Sequence, residues 1–295
     1  MSTTPFPPPD LARVPADSAI GDPVTANLCA AAGLAPFQHL PGGPSAAFDP
    51  AQYPPGCSIT LSNADQPVFT VSVFAAKHPP HPADGRTETR VQGLPVYRYP
   101  FKESTGSCER DVVAPGVLLV ADTLARGAVK PDSGLACAAA DAMAERMAAA
   151  AAGGSVARLA LAAPSVTELD ACAVAKQAEI ASSGTFAGAN LRRRGFDVNC
   201  ELRTEGAFLF LNIALVDTAR AVPGETIRVD GHELQQTSVQ PSFCSYASPQ
   251  GSTGADLQEQ VTATATAPGP GTPSADLCAD TAAALARYLT AAGLT

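Results

Sequence analysis

Two matching stretches of the chain read as strands, one with apolar and polar residues alternating and one apolar on both faces. Phe69, Val71 and Val73 alternate with Thr70 and Ser72, the period of a strand with one buried face. In the second stretch, Leu209, Leu211, Ile213 and Leu215 fall on one side. Phe208, Phe210 and Ala214 fall on the other, so this strand is expected to be covered on both faces. A further strand follows each, the apolar run Val117 to Ala121 in the first half and the segment Leu257 to Thr266 in the second. Alanine-rich segments after Leu135 and Leu277 predict long closing helices, and the segments around Asn27 and Asp170 predict short opening ones. Consecutive strands with short turns imply antiparallel sheets.

The eight cysteines show that this order is used twice. Cys29, Cys57, Cys108 and Cys137 are separated by 28, 51 and 29 residues, and Cys172, Cys200, Cys244 and Cys278 by 28, 44 and 34. The local text agrees. Cys29 and Cys172 sit in short helical segments, and Cys57 and Cys200 open strands. The turns Val91-Gln92-Gly93 and Val229-Asp230-Gly231 lead into extended segments reaching Cys108 and Cys244. Cys137 and Cys278 begin the closing helices. Self-similarity in order, spacing and local type reads as an internal duplication.

The expected fold is α+β: two tandem modules, each an antiparallel sheet of four to five strands flanked by an N-terminal and a C-terminal helix, with two disulfides. Residues 1–20 read as a Pro-rich linker, 21–152 as the first module, 153–164 as a junction and 165–295 as the second module. Ser165 is expected to cap the next helix, with Glu168 completing a capping box.

An even cysteine count without a Cys-x-x-Cys pair favours disulfides in an oxidising compartment over zinc or a thioredoxin-type site. Four cysteines allow three connectivities per module. The nested one is expected: Cys57 with Cys108 and Cys29 with Cys137, then Cys200 with Cys244 and Cys172 with Cys278. Buried free thiols are the ordinary alternative.

Composition narrows the function. A net charge of −9 with 16% charged residues disfavours nucleic-acid binding, because the chain repels a phosphate backbone. The opening Met1-Ser2-Thr3-Thr4-Pro5 has neither a basic nor an apolar signal region. The cysteines therefore lead us to expect an export signal, lipid anchor or membrane helix upstream of this start, and a membrane-proximal protein. A cytoplasmic protein is the rival.

The arrangement of Cys29, Gly56-Cys57, Val91-Gln92-Gly93, Cys108 and Leu135-Ala136-Cys137, and its second copy, resembles a known pattern. It is similar to the four-cysteine exported lipoproteins of unknown function in mycobacteria and other actinobacteria. It also resembles the extracellular sensor domains of mycobacterial serine/threonine kinases. The resemblance implies an extracytoplasmic α+β module that binds something or supports envelope proteins, and it brings no catalytic residues with it.

No catalytic signature, phosphate loop or zinc helix stands in the sequence, so no catalytic residue, metal ligand or cofactor is assigned. His78-Pro79-Pro80-His81 reads as a solvated loop and His232 as part of a turn. The candidate ligand contacts are Tyr97, Tyr99 and Phe101, which alternate with Arg98 opposite, and the basic run Arg192-Arg193-Arg194. An aromatic row can stack on a sugar or grip an acyl chain, though core packing is its commoner role. An arginine cluster can meet an anionic lipid or glycan phosphate, though solvated loops are its commoner setting.

The expected function is that of a non-enzymatic cell-envelope protein, its two modules packed as an internal pseudo-dimer and binding a ligand or protein partner not named by the sequence. A cell-wall hydrolase or transferase with a site at the inter-module cleft is one alternative. A structural subunit of an envelope complex is the other.

Overall fold

The structure, a computed structural model, describes residues 17–23, 25–49, 51–52, 56–63, 66–76, 86–99, 107–125, 133–154, 156–161, 165–193, 199–219, 224–240, 242–252, 257–267 and 274–294. The chain divides between Leu159 and Ala160 into two compact units. This division falls inside the expected junction. Residues on its N-terminal side are not loose, however: Asn27 N–H donates to Ala157 O at 2.8 Å and Leu159 N–H to Thr25 O at 2.7 Å.

In the first unit, α1 (Leu28–Ala32) and α2 (Ala35–Gln38) precede the seven described strands of its sheet. These are β1 (Ser45–Phe48), β2 (Gly56–Asn63), β3 (Gln66–Ala76), β4 (Thr87–Val91), β5 (Leu94–Arg98), β6 (Glu109–Ala114) and β7 (Val117–Ala125). The helix α3 (Ser133–Gly153) closes the unit. The second unit has α4 (Ala171–Gln177), then β8 (Asn190–Arg193), β9 (Asn199–Arg203), β10 (Phe208–Asp217), β11 (Glu225–Val229), β12 (His232–Gln240), β13 (Phe243–Ser252) and β14 (Leu257–Thr266), and ends with α5 (Ser274–Ala292).

The strand orders are β1-β2-β3-β7-β6-β5-β4 and β8-β9-β10-β14-β13-β12-β11, with every pairing antiparallel. Each strand of the second sheet thus takes the place of the strand seven earlier in the first. The α+β class and the doubled module stand. The sheets are larger than four to five strands, because the hairpin β4–β5 and its copy β11–β12 pair as full strands, and short edge strands β1 and β8 are added.

The duplication extends to side-chain rows. Across the first sheet Cys57 lies opposite Val73, Val73 opposite Ala121 and Ala121 opposite Arg110. Across the second the same row reads Cys200, Leu211, Ala263 and Tyr246. The opening helices share a cap: Asn27 accepts from Ala30 N–H and Asp170 from Ala173 N–H, each two residues before the cysteine. Both hairpin turns have two positive-φ residues, Gln92 at 52° and Gly93 at 80°, then Asp230 at 49° and Gly231 at 88°. That is the type I′ geometry matching strand twist.

The core lies between each sheet and its helices. Helix α3 buries Ala136, Ala140, Met143, Ala144, Met147 and Ala151, a 3.6-residue stripe, against β3, β6 and β7. Its alanines let the helix lie close to the sheet. In the second unit Leu277, Leu285, Tyr288 and Leu289 of α5 pack on Leu209, Leu211, Ile213 and Val261. Strand β10 is buried at Ala214 and Val216 as well, while Phe208 and Phe210 are half-buried.

Ser165 caps as expected, and a distant acid joins it. Its hydroxyl accepts from Thr167 N–H, at the start of a 3-10 turn over Val166–Glu168. The carboxylate that completes the cap belongs to Glu259 of β14, which accepts from Ser165 Oγ at 2.7 Å and from Val166 N–H at 2.9 Å. Glu168 is exposed, whereas Glu259 is fully buried.

The nested disulfide pairing is corrected. The bonds are Cys29–Cys57, Cys108–Cys137, Cys172–Cys200 and Cys244–Cys278. Strand order gives the reason. Cys57 on β2 and Cys108 at the start of β6 are separated by β3 and β7, a span of about 14 Å at the usual strand spacing. The Cα atoms of a disulfide must come within about 7 Å. Cys200 and Cys244 are kept apart in the same way by β10 and β14. Each bond instead joins a helix to the strand beneath it, with Cα atoms 4.9–5.3 Å apart.

Candidate functional site

The candidate site lies on the first sheet, where β5 and β6 bring charge and aromatic rings together on both faces. Strand β5 alternates Val96 and Arg98 toward α3 with Tyr97 on the opposite face. Strand β6 alternates Arg110 and Val112 toward α3 with Asp111 opposite. The register sets Tyr97 across from Asp111 and Arg98 across from Arg110.

On the face away from α3, the Arg86 guanidinium stacks 3.9 Å from the centroid of the Tyr97 ring. Tyr99, just past β5, donates its hydroxyl to Asp111 Oδ2. Burial, and then the bond to and charge of Asp111, raise the Tyr99 pKa far above the usual value of 10. The phenol therefore stays protonated at physiological pH as a donor to Asp111. Asp111 is buried and Arg86, Tyr97 and Tyr99 are half-buried, so rings, a cation and a fixed carboxylate lie together at the sheet surface. Such a surface suits stacking and hydrogen bonding.

On the face toward α3, Arg110 is 1% exposed and its Nε donates to Asp141 Oδ1 at 2.6 Å. The Arg98 Nη2 reaches the same oxygen at 3.1 Å. Arg110 also donates through Nη1 to Glu109 O at 2.9 Å. Asp141 thus fastens two strands to one helix. No short-range pattern in the chain marks this ion cluster, because its three members are 43 residues apart at the extremes.

Of the expected contacts, Tyr97 and Tyr99 meet in one cluster, and Arg98 points the other way as predicted. Phe101 and Arg194 lie outside the described residues, and the Arg193 side chain is not among those described. Arg192 is exposed on β8, the edge strand opposite Glu201 of β9, in the other unit. The structure therefore does not assemble the arginine run and the tyrosines on one unit. His78 and His81 also lie outside the described residues. His232 opens β12 and its Nε2 sits 2.9 Å from Thr290 Oγ1 of α5, a strand-to-helix tie.

One groove, of about 280 Å³, lies between α1 and the end of α3, lined by Ala30, Ala31, Arg146, Ala149, Ala150 and Ala157. Arg146 spans it, donating Nε to Ala31 O and Ala32 O, each at 3.2 Å. Among the described residues no group of three or more His, Cys, Asp or Glu is placed to hold a metal ion. No helix among them is long and apolar enough to cross a membrane.

Comparison with known proteins finds no matching family model, no similar curated protein and no similar solved structure. What the structure supports about location comes from its sulfur chemistry: four disulfides, two per unit, suggest an extracytoplasmic protein.

Proposed function

We propose that this is a non-enzymatic protein of the cell envelope, of the kind its cysteine pattern resembles: a lipoprotein-like or sensor-like module that binds a ligand or partner. The supporting observation is the Arg86–Tyr97–Tyr99–Asp111 patch on a disulfide-braced sheet. Sheet and disulfide hold the patch in place, so binding there needs little ordering of the backbone. Tyr97 offers the ring, Arg86 the cation, and Tyr99 is fixed by Asp111. The Arg192 region is the weaker candidate, being exposed on an edge strand with no aromatic partner among its described neighbours.

Co-sedimentation with the isolated envelope fraction of the native host tests this reading. The expected result is retention of the wild-type protein and an about ten-fold loss with Tyr97→Ala, as for an aromatic anchor. Arg192→Ala should change it little. No retention of the wild-type chain, or equal retention of Tyr97→Ala, would overturn the proposal.

A further inference from the structure

We propose that two copies of this chain associate through β4, pairing the outer edges of their first sheets antiparallel about a two-fold axis. Among the described residues β4 ends the strand order, and Thr87 to Arg90 are all exposed.

Its backbone groups point the right way. The Gln92–Gly93 turn makes Val91 and Leu94 a hydrogen-bonded pair, and such pairs then alternate along an antiparallel ladder. Thr89 therefore bonds inward to Val96, while Glu88 and Arg90 turn their N–H and C=O groups outward. Pro95, opposite Arg90, fits this phase, since a non-bonded pair needs no N–H from it.

Outward groups at 88 and 90 allow a second β4 to pair with Thr89 facing its own copy. That register puts Glu88 opposite Arg90 of the other copy, twice, once on each side of the axis. Opposite charges facing each other across strands are favourable, and like charges are not. The contact is isologous, so it closes at two copies and does not propagate.

The equivalent edge β11 discriminates. The same phase turns Thr226 and Arg228 outward, so self-pairing would place Thr226 against Arg228 without an opposite charge. Arg228 is also engaged, at 2.6 Å from Glu233 on its own hairpin. Arg90 donates Nη1 to Gly93 O at 3.0 Å, and its Nη2 lies 3.6 Å from Glu88, so within one chain its ion pair is looser than that of Arg228. A β4–β11 contact between copies would gain one ion pair where β4–β4 gains two. Five residues of strand bury less than a standard interface, so the dimer is weak and concentration-dependent.

The test is sedimentation equilibrium of the full oxidised chain, up to roughly 1 mM, with charge swaps. Arg90→Glu and Glu88→Arg should each weaken association about ten-fold, and the double swap should restore it. Thr89→Cys should cross-link to its own copy on mild oxidation, since facing Cα atoms of such a pair lie about 4.5 Å apart, within disulfide range. Thr87→Cys, which faces Val91 of the other copy, should not. A chain monomeric throughout that range, or a dimer indifferent to the swaps, overturns the proposal. Cross-linking by Thr87→Cys as readily as by Thr89→Cys overturns the register.

Discussion

Arg110 and Tyr246 hold the same place in the two sheets, each two residues after a disulfide cysteine and each facing the closing helix. Arg110 meets Asp141, four residues after Cys137, whereas the position four residues after Cys278 is Ala282. One copy fills the gap between strand and helix with an ion pair, and the other fills it with an aromatic ring and a small residue. Both solutions are fully buried on the strand side, where Arg110 is 1% and Tyr246 3% exposed.

Asp141→Ala should therefore destabilise the first unit strongly, because it removes a carboxylate that the buried Arg110 guanidinium bonds at 2.6 Å. Breaking a buried pair costs about 3–5 kcal/mol, and about 2–3 is expected here because Asp141 keeps some contact with water. The double change Arg110→Tyr with Asp141→Ala copies the second unit and should recover most of that loss. Urea unfolding of the wild-type chain and the two variants checks it. A double variant no more stable than Asp141→Ala would show that the two positions are not equivalent in packing.

Disulfide connectivity can be read by mass spectrometry of peptides cut without reduction. Cys29–Cys57, Cys108–Cys137, Cys172–Cys200 and Cys244–Cys278 should appear, with no Cys57–Cys108 or Cys200–Cys244 link. Each closes a loop of 28–34 residues, so replacing one pair with alanine should cost about 3–4 kcal/mol in the chain-entropy account. A link between the two strand cysteines of one unit would refute the strand order itself.

Gly184 and Gly188 separate two causes of glycine dependence. Both have positive φ, 64° and 73°. A Cβ on Gly184 would come within 2.7–2.8 Å of the Asp280 carboxylate, which accepts from both Thr185 N–H and Thr185 Oγ1. A Cβ on Gly188 would meet nothing within 4 Å. Gly188→Ala should cost about 1 kcal/mol for the backbone alone, and Gly184→Ala about 2–3 as the Asp280 bonds are also lost. Thermal or urea unfolding would show the difference, and equal costs would mean that Asp280 simply moves aside.

Three tyrosines should ionise late. Tyr99, Tyr246 and Tyr288 all have pKa values raised above 10, each chiefly by burial, with Asp111 adding to the shift at Tyr99 and Asp170 at Tyr288. An acid whose pKa is higher in the fold than in the unfolded chain keeps its proton longer when folded. Stability is thus untouched below pH ~10 and falls as pH rises above it, where the unfolded chain loses protons first. Phenolate absorbance of the native protein should lag behind that of the unfolded chain, and the two curves should merge when alkali unfolds it. Coincident curves from pH 9 upward would contradict the burial of these rings.

The sequence by itself determined the local grammar. The alternation at Phe69–Val73, the Gly-containing turns at 92–93 and 230–231 and the caps at Asn27 and Asp170 are all set by neighbours within a few residues. Because these signals recur with the cysteines, the doubled α+β module was legible. So was the separation of Tyr97 and Arg98 to opposite faces, which follows from the two-residue period of a strand. Only the tertiary structure decided which distant strands became neighbours. Placing β3 and β7 between β2 and β6 made the nested disulfides impossible and gave each strand cysteine a helix partner instead. The same placement brought Asp141 under Arg98 and Arg110, and Glu259 under Ser165. Such contacts depend on strand order and on the docking of helices, which are fixed by burial of the whole face and leave no short-range trace in the chain.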